Sequence, residues 1–299
     1  MWVASTDYFD DVRIGKEVLA GSSDSYRKLR NTFRYLLGAL EGFSENERVA
    51  VAAMPELERY MLHRLAELDA TLREVVETRD SENWLEFSRY TRALNDFANS
   101  DLSAFFFDIR KDCLYCDVNP ATGKQMEKRK AYRTVLDVLF HALVRYAAPI
   151  IPFTAEEVWK SRYPKADSVH MLDWPEVDGG WKDEELGQRW NRIRYIRSVV
   201  TAAVEPLRRE KKIHSSLEAA VGLSLPLDER LQYDECELAE ICIVSRISHV
   251  EEFPGSEQGE TADAYPRKVN DHKCGRCWRH LPEVTEDGDL CNRCEDILA

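Results

Sequence analysis

Large apolar side chains recur every three or four residues through most of the first half of the chain, and that spacing predicts helices. Two stretches dominate, Ser81 to Tyr115 and Lys124 to Trp159. In the first, Trp84, Phe87, Tyr90, Leu94 and Phe97 form one face, and Leu102, Phe105, Phe106 and Ile109 resume it after a break near Ser100 and Asp101. In the second, Tyr132, Val135, Leu136, Leu139, Leu143 and Tyr146 make a matching stripe, which Pro149 and Pro152 stop. A capping box, Thr154 at the N-cap with Glu157, then predicts the start of another helix. Such faces are stable only when buried against each other, so the pattern predicts an antiparallel helix bundle.

Upstream, Tyr26, Leu29, Phe33, Leu36, Leu37 and Leu40 mark a helix with Arg27, Lys28, Arg30 and Arg34 on its other faces. Leu57, Met61, Leu65, Leu68, Leu72 and Val75 give a near-heptad stripe beginning after Pro55 and ending at Asp80-Ser81, long enough for a bundle member but short for a coiled coil. Downstream, Trp159 to Asp183 has no periodicity and is rich in Pro, Asp and Gly, which predicts a surface crossing. A long helix follows, with Leu186, Trp190, Ile193, Ile196, Val200, Val204 and Leu207 facing inward. A strand at Ala219 to Leu225, a polar helix near Asp228 to Leu238 and a second strand at Ile241 to Ser245 predict a small α/β unit. Glu251 to Pro266 has little to bury and reads as a linker.

Composition narrows the class. With 299 residues, 44% hydrophobic and 32% charged, the chain has the makings of a globular protein of more than one domain. No stretch reaches the roughly 18 uninterrupted apolar residues of a membrane helix. Neither is there a secretory leader, so a cytosolic protein is expected. Eight cysteines agree with this, because four of them form two C-x-x-C pairs, a metal-binding pattern in a reducing compartment. The net charge of −13 argues against a general affinity for nucleic acid. Locally the sign reverses: from Arg189 to His214 eight Lys or Arg face two acids, Glu205 and Glu210, leaving +6.

The densest chemistry is at the end. Cys274-Gly-Arg-Cys277 and Cys291-Asn-Arg-Cys294, thirteen residues apart, supply four thiolates from two tight turns helped by Gly275 and Gly288. That set suits one tetrahedral Zn²⁺ and leaves no open position, so the metal is expected to be structural, and His272 and His280 are not needed as ligands. Arg276, Arg279 and Arg293 stand around the cysteines with Lys273 and Trp278. Two readings are open: a cationic tip that stacks unpaired RNA, or a tryptophan capping a small core among solvated arginines. The cations of the Tyr26 to Leu40 helix likewise suit a solvated face. Cys113-x-x-Cys116 has no partner pair, and Asp108 and Asp112 stand beside Arg110 and Lys111, as on a solvated face. With no phosphate loop and no nucleophile with its base, the residues describe a binding module without catalytic groups.

Several runs, in order, resemble the carboxy-terminal part of bacterial isoleucyl-tRNA synthetases. They are Trp2-Val-Ala-Ser-Thr-Asp-Tyr8, Arg13-Ile-Gly15, Arg30-Asn31-Thr-Phe-Arg34, Leu102-Ser-Ala-Phe-Phe-Phe-Asp-Ile-Arg-Lys-Asp112, Pro152-Phe-Thr-Ala-Glu-Glu-Val-Trp159, Ser215-Ser-Leu-Glu-Ala219 and Cys274-Gly-Arg-Cys-Trp278. Pro152 to Trp159 alone would also suit valyl or leucyl synthetases; the terminal cysteines favour the isoleucine family. The resemblance implies a mainly α protein: a class I synthetase anticodon-binding helix bundle, then a small α/β unit and a four-cysteine zinc knuckle. It implies a division into 1–21, a remnant of the connection from a catalytic domain; 22–165, the helical domain; 166–252, the basic helix and α/β unit; 253–268, a linker; and 269–299, the knuckle. The implied partners are isoleucine tRNA and the catalytic domain of the same enzyme, in a cytoplasmic monomer with no membrane contact. Arg30, Asn31, Arg34, Arg208, Arg209, Lys211, Lys212, Arg276, Trp278, Arg279 and Arg293 are the implied tRNA contacts. The family's ATP-binding motifs and editing domain are not found in this chain, so ATP belongs to the full-length enzyme and this part is expected to catalyse nothing alone. The other expectation, from a different class, is a zinc-stabilised helical scaffold for protein contacts.

Overall fold

The computed structural model describes residues 1–7, 11, 12, 14–77, 86–250 and 262–299. Trp84, the Asp80-Ser81 helix stop and most of the stretch read as a linker lie outside these residues. The chain forms two compact units: Met1–Leu114 with Glu127–Gly187, and Tyr115–Met126 with Gln188–Ala299. Among the described residues no helix is long and apolar enough to cross a membrane.

The first unit is a helix bundle. α1 (Trp2–Ser5), α2 (Lys16–Ala39), α3 (Glu56–Glu77) and α4 (Phe87–Asp96) are followed by a π-helical segment, Phe97–Phe106. α5 (Phe107–Cys116), whose last two residues are counted in the second unit, α6 (Glu127–Ala147) and α7 (Pro152–Arg162) complete the helical run. α2 packs on α6 and α7, and α3 on α4 and α6. The predicted stripes form the core: Leu29, Phe33, Leu57, Met61, Leu65, Tyr90, Leu94, Tyr132, Leu136 and Leu143 are all buried. α6 is buried almost all round, and its buried Arg133 and Asp137 find partners within the same unit. Arg133 donates to the carbonyls of Ala39 (3.1 Å) and Glu41 (2.6 Å), capping the end of α2. Asp137 accepts from Arg48 (2.7 Å) and Arg162 (2.5 Å).

Two local expectations are corrected here. The break near Ser100 and Asp101 is a widening of the helix, in which Phe107 N–H bonds to Leu102 O and the Ser103 hydroxyl to Ala98 O (2.9 Å). The wider turn moves the register so that Phe97, Leu102, Phe105 and Phe106 all stay buried. The helix after Pro149 begins at Pro152, not after Thr154. Proline fits the first helical position because its missing N–H has no intrahelical partner there. Thr154 lies inside α7, and its hydroxyl meets the Tyr26 hydroxyl at 2.9 Å.

The crossing after α7 belongs to the bundle. Trp174 Nε1 donates to buried Asp69 (2.7 Å), which also accepts from Tyr146 (2.5 Å) and Arg73 (2.7 Å). Asp183 N–H donates to His63 Nδ1 (2.9 Å).

α8 (Glu184–Arg209), which belongs to the second unit from Gln188 onward, buries Trp190, Ile193, Ile196, Val200 and Val204. β1 (Ala219–Ser224), α9 (Leu227–Arg230), α10 (Glu235–Cys242), β2 (Arg246–His249) and β3 (Asp263–Lys268) form a small mixed sheet with its crossover. The strand order is β2-β1-β3, with β1 parallel to β2 (Val221 opposite Ile247) and antiparallel to β3 (Val221 opposite Pro266). The second strand is therefore not at Ile241 to Ser245. Ile241 and Cys242 complete the buried face of α10, and Ile243 ends that helix in the left-handed conformation, φ +56°. β3 occupies Asp263–Lys268 of the stretch read as linker; Pro266 fits there because β3 lies at the edge of the sheet. α11 (Asn292–Leu298) closes the chain.

Candidate metal centre and nucleic-acid interface

Two tight turns bring Cys274, Cys277, Cys291 and Cys294 together. Gly275 donates to Asp289 O (2.9 Å) and Gly288 to Lys273 O (2.9 Å), locking one turn to the other. The approach is too close for a side chain, since a Cβ on Gly275 would lie 2.3 Å from Gly288 O, and Gly288 itself has φ +104°. Cys291 caps the short α11, which carries Cys294. All four cysteines are buried, their sulfurs lie within 4.8 Å of one another, and the Cys277 and Cys291 sulfurs are 3.7 Å apart. Tetrahedral Zn²⁺ with bonds of about 2.3 Å places its sulfurs roughly 3.8 Å apart, so the donor set fits the metal. Burial alone raises the Cys274 thiol, but N–H groups of Arg276, Cys277 and Cys291 outweigh it and bring its pKa down to about 7. Burial, with the neighbouring Cys277, pushes Cys291 up to about 11. A divalent cation is what lets four such sulfurs be thiolates together. The histidines point elsewhere: His280 Nδ1 lies 2.8 Å from Asp271 O and His272 lies 3.4 Å from Asp287.

The arginines around the centre are engaged in holding it. Arg276 donates to Val118 O (2.6 Å), with Tyr115 O and Cys116 O each at 3.4 Å. Arg279 donates to Ser245 O (2.9 Å), and Arg293 lies 3.8 Å from the buried Asp117. Cys116, half of a pair with no metal role expected, joins Val284 and the four ligands in one buried cluster. No local pattern announces this packing, because the residues meet only through the fold.

Trp278 is the opposite case. It follows the ligand Cys277 directly, is 61% exposed, and holds φ +64°, a conformation that a bulky residue adopts only at a cost. Lys273 Nζ lies 5.2 Å from the ring centroid. Of the two readings of this tryptophan, burial as a cap on a small core is corrected by its exposure.

The basic stretch divides along its length. In α8, Arg189 lies over Tyr233 and donates to Gln232 O (3.1 Å), Arg192 pairs with Glu229 (2.8 Å), and Arg197 donates to Ile241 O. At its end, Arg208 pairs with Glu205 (3.2 Å) and Lys212 with Glu210 (2.7 Å). The side chains of Arg209 and Lys211 are exposed and bond to no other described residue. On the bundle, Arg30, Asn31 and Arg34 are exposed along α2 and equally unbonded. Asp108, one of the two acids that could mimic a catalytic pair, forms an ion pair with Lys111 (2.6 Å).

Comparison with known proteins adds independent findings. Residues 58–223, more than half of the chain, match the family model described as the anticodon-binding domain of tRNA ligase. Residues 271–297 match the model of a zinc finger found in FPG and IleRS. An isoleucine–tRNA ligase of Zymomonas mobilis subsp. mobilis is 59% identical over 298 residues, covering 100% of this chain and 30% of that protein. Those of Gluconobacter oxydans and Agrobacterium fabrum are 43% and 44% identical, covering 100% and 96% of this chain and 30% and 29% of those proteins. The chain thus spans about 30% of the length of the relatives it matches.

Proposed function

The chain belongs to the tRNA-ligase anticodon-binding family, and from that premise we propose that it is the part of an isoleucine–tRNA ligase that holds the anticodon stem-loop of isoleucine tRNA. Arg30 and Arg34 on α2, Arg209 at the end of α8 and Lys211 just beyond it contact phosphates, each as a solvated charge that releases counterions on binding. Trp278 stacks an unpaired base, and Lys273 stands over the ring as the adjoining cation. Zinc supplies rigidity and no reaction: it fixes the turn on which Trp278 sits. Arg276, Arg279 and Arg293 serve the interface by anchoring that turn, with any contact to RNA secondary. Attachment of isoleucine, which consumes ATP, belongs to the rest of the longer protein, working in the cytoplasm where translation occurs.

The observation that carries this reading is Trp278, a large ring kept in water on a backbone conformation that costs energy. Strain of that kind persists where the exposed group is used. The test is titration of the zinc-loaded chain with isoleucine tRNA and with the same tRNA carrying another anticodon, before and after chelation. Tighter binding of the native anticodon, lost on chelation, is the expected result. Equal affinity for both tRNAs and for an unrelated one at physiological salt would overturn the proposal and favour a protein-binding scaffold.

A further inference from the structure

Tyr115 is the penultimate residue of α5 and is 67% exposed, while Leu114 and Cys116 on either side are buried. A single exposed ring is ordinary on a protein surface. What distinguishes this one is how its backbone is held. The last carbonyls of a helix have no partner within it. Here those of Tyr115 and Cys116 face the guanidinium of Arg276, which bonds more closely to Val118 O, and Arg276 lies between the ligands Cys274 and Cys277. Beneath, the Cys116 thiol is 3.6 Å from Arg276 O. The hairpin that follows is tied down as well: Asn119 turns it through Ala121 N–H (2.9 Å) and donates to Leu298 O (3.1 Å). Tyr115 and Trp278 are therefore anchored to the same metal-ligand turn, within one compact unit.

Charge says what such a pair of rings would meet. Residues 115–126 and 272–280 together carry four cations, Lys124, Lys273, Arg276 and Arg279, and one acid, Asp117, which is buried beside Arg293. Of the acids in the knuckle's exposed loop, 283–289, Asp287 folds back onto this turn, accepting from Lys273 N–H (2.8 Å) and lying 3.4 Å from His272, so the cations outnumber the acids four to two. Exposed aromatic faces set among cations suit unpaired nucleotides, whose bases stack while their phosphates are neutralised.

We infer that Tyr115 is a second stacking platform for single-stranded RNA, making the 115–126 hairpin part of the interface that Trp278 marks. The inference rests on the RNA-binding reading above and adds an element to it. The experiment measures affinity of the zinc-loaded chain for an RNA stem-loop with an unpaired loop, and for the duplex of its stem alone. Tyr115→Ala is expected to weaken stem-loop binding about tenfold, the effect of losing one stacked base. Duplex binding and the salt dependence should not change, since no phosphate contact is lost. Tyr115→Phe keeps the ring and should bind like the parent. Zinc content and helicity of each variant show that the fold is intact. Trp278→Ala is measured in parallel. If it weakens loop binding and Tyr115→Ala does not, the inference falls and the RNA-binding reading stands. If neither does, the reading itself falls. Equal weakening of stem-loop and duplex by Tyr115→Ala would also overturn the stacking role.

Discussion

In the helical unit, Phe33, Tyr60, Tyr90, Phe106, Tyr132 and Phe140 fill a continuous core, whereas the buried side chains of residues 271–297 are four cysteines, Val284 and Ile297. The bundle is held by many contacts, each of moderate strength, and even its buried charges are paired within it, as Arg110 is with Glu58 at 2.7 Å. The knuckle has too little apolar surface to fold by burial, so one ion replaces a core. The two therefore differ in how they fail. The bundle should lose stability in increments, the knuckle all at once.

The largest expected effect follows from that difference. Cys291→Ser, or removal of zinc, forfeits metal-linked folding free energy on the order of 10 kcal/mol and should unfold 271–298 while the bundle keeps its helicity. The hairpin 117–126 should go with the knuckle, because Arg276, Leu298 and Arg293 are its partners. Amide exchange reads this directly. Fast exchange confined to the knuckle, with the hairpin still protected, would break the link; loss of protection in α3 and α6 would break the comparison itself.

The second test is on the bundle. Glu58 and Arg110 are 0% and 6% exposed and bond through two N–H groups, at 2.7 and 2.8 Å. Glu58→Ala strands a buried guanidinium and should cost about 3–5 kcal/mol, whereas replacing both partners with apolar residues of similar volume should recover most of the loss. Denaturant unfolding of the three proteins decides it. An equal loss in the single and double variants would mean that the pair contributes net stability, against the view that packing holds the bundle.

How far each region was legible in the sequence also differs. The stripe from Leu57 to Leu72 and the four cysteines could be read because helical period and ligand spacing are local properties. The start of α7 could not: Pro152 and Thr154 are both start signals two residues apart, and the bond from Thr154 to Tyr26, across 128 residues, accompanies the choice of Pro152. The short apolar run at Ile241 fits either a strand or a helix until it is known what it packs against. The knuckle arginines carry the same lesson for the site. As residue types beside a zinc turn they suggest RNA, yet the carbonyl partners of Arg276 lie about 160 residues earlier, and nothing near Arg276 in sequence points to them.

A smaller effect tests whether the knuckle gives up stability for its exposed ring. Trp278→Gly relieves a left-handed backbone worth about 1 kcal/mol and loses an exposed Lys273–ring contact worth about 0.5 kcal/mol. The variant should therefore bind zinc at least as well and resist chelation slightly better, while its affinity for the stem-loop falls. Weaker zinc binding would show that the ring supports the centre.

The smallest effect is a pH dependence confined to the bundle. His141 lies on α6 with Nε2 3.0 Å from the Tyr163 hydroxyl, and burial holds its pKa below the usual imidazole value. Asp137, 3.8 Å away, opposes that shift, while Arg162, Arg145 and Arg48 reinforce it. The depressed value means that the unfolded chain binds the proton more readily than the folded one. Stability from this site is therefore full above the unfolded pKa of about 6.5 and declines as pH falls from there toward the folded value. His141→Gln retains a partner for Tyr163 and has no proton to take up, so its stability should fall less between about pH 7 and pH 5. The knuckle depends on acid more steeply, because its thiolates are protonated as the metal leaves. Following the zinc and the bundle helicity in one acid titration separates the two: the metal should depart in a single step with no break in helicity, and only the bundle's later transition should change in His141→Gln. A parent and variant with the same bundle slope would remove His141 from the account.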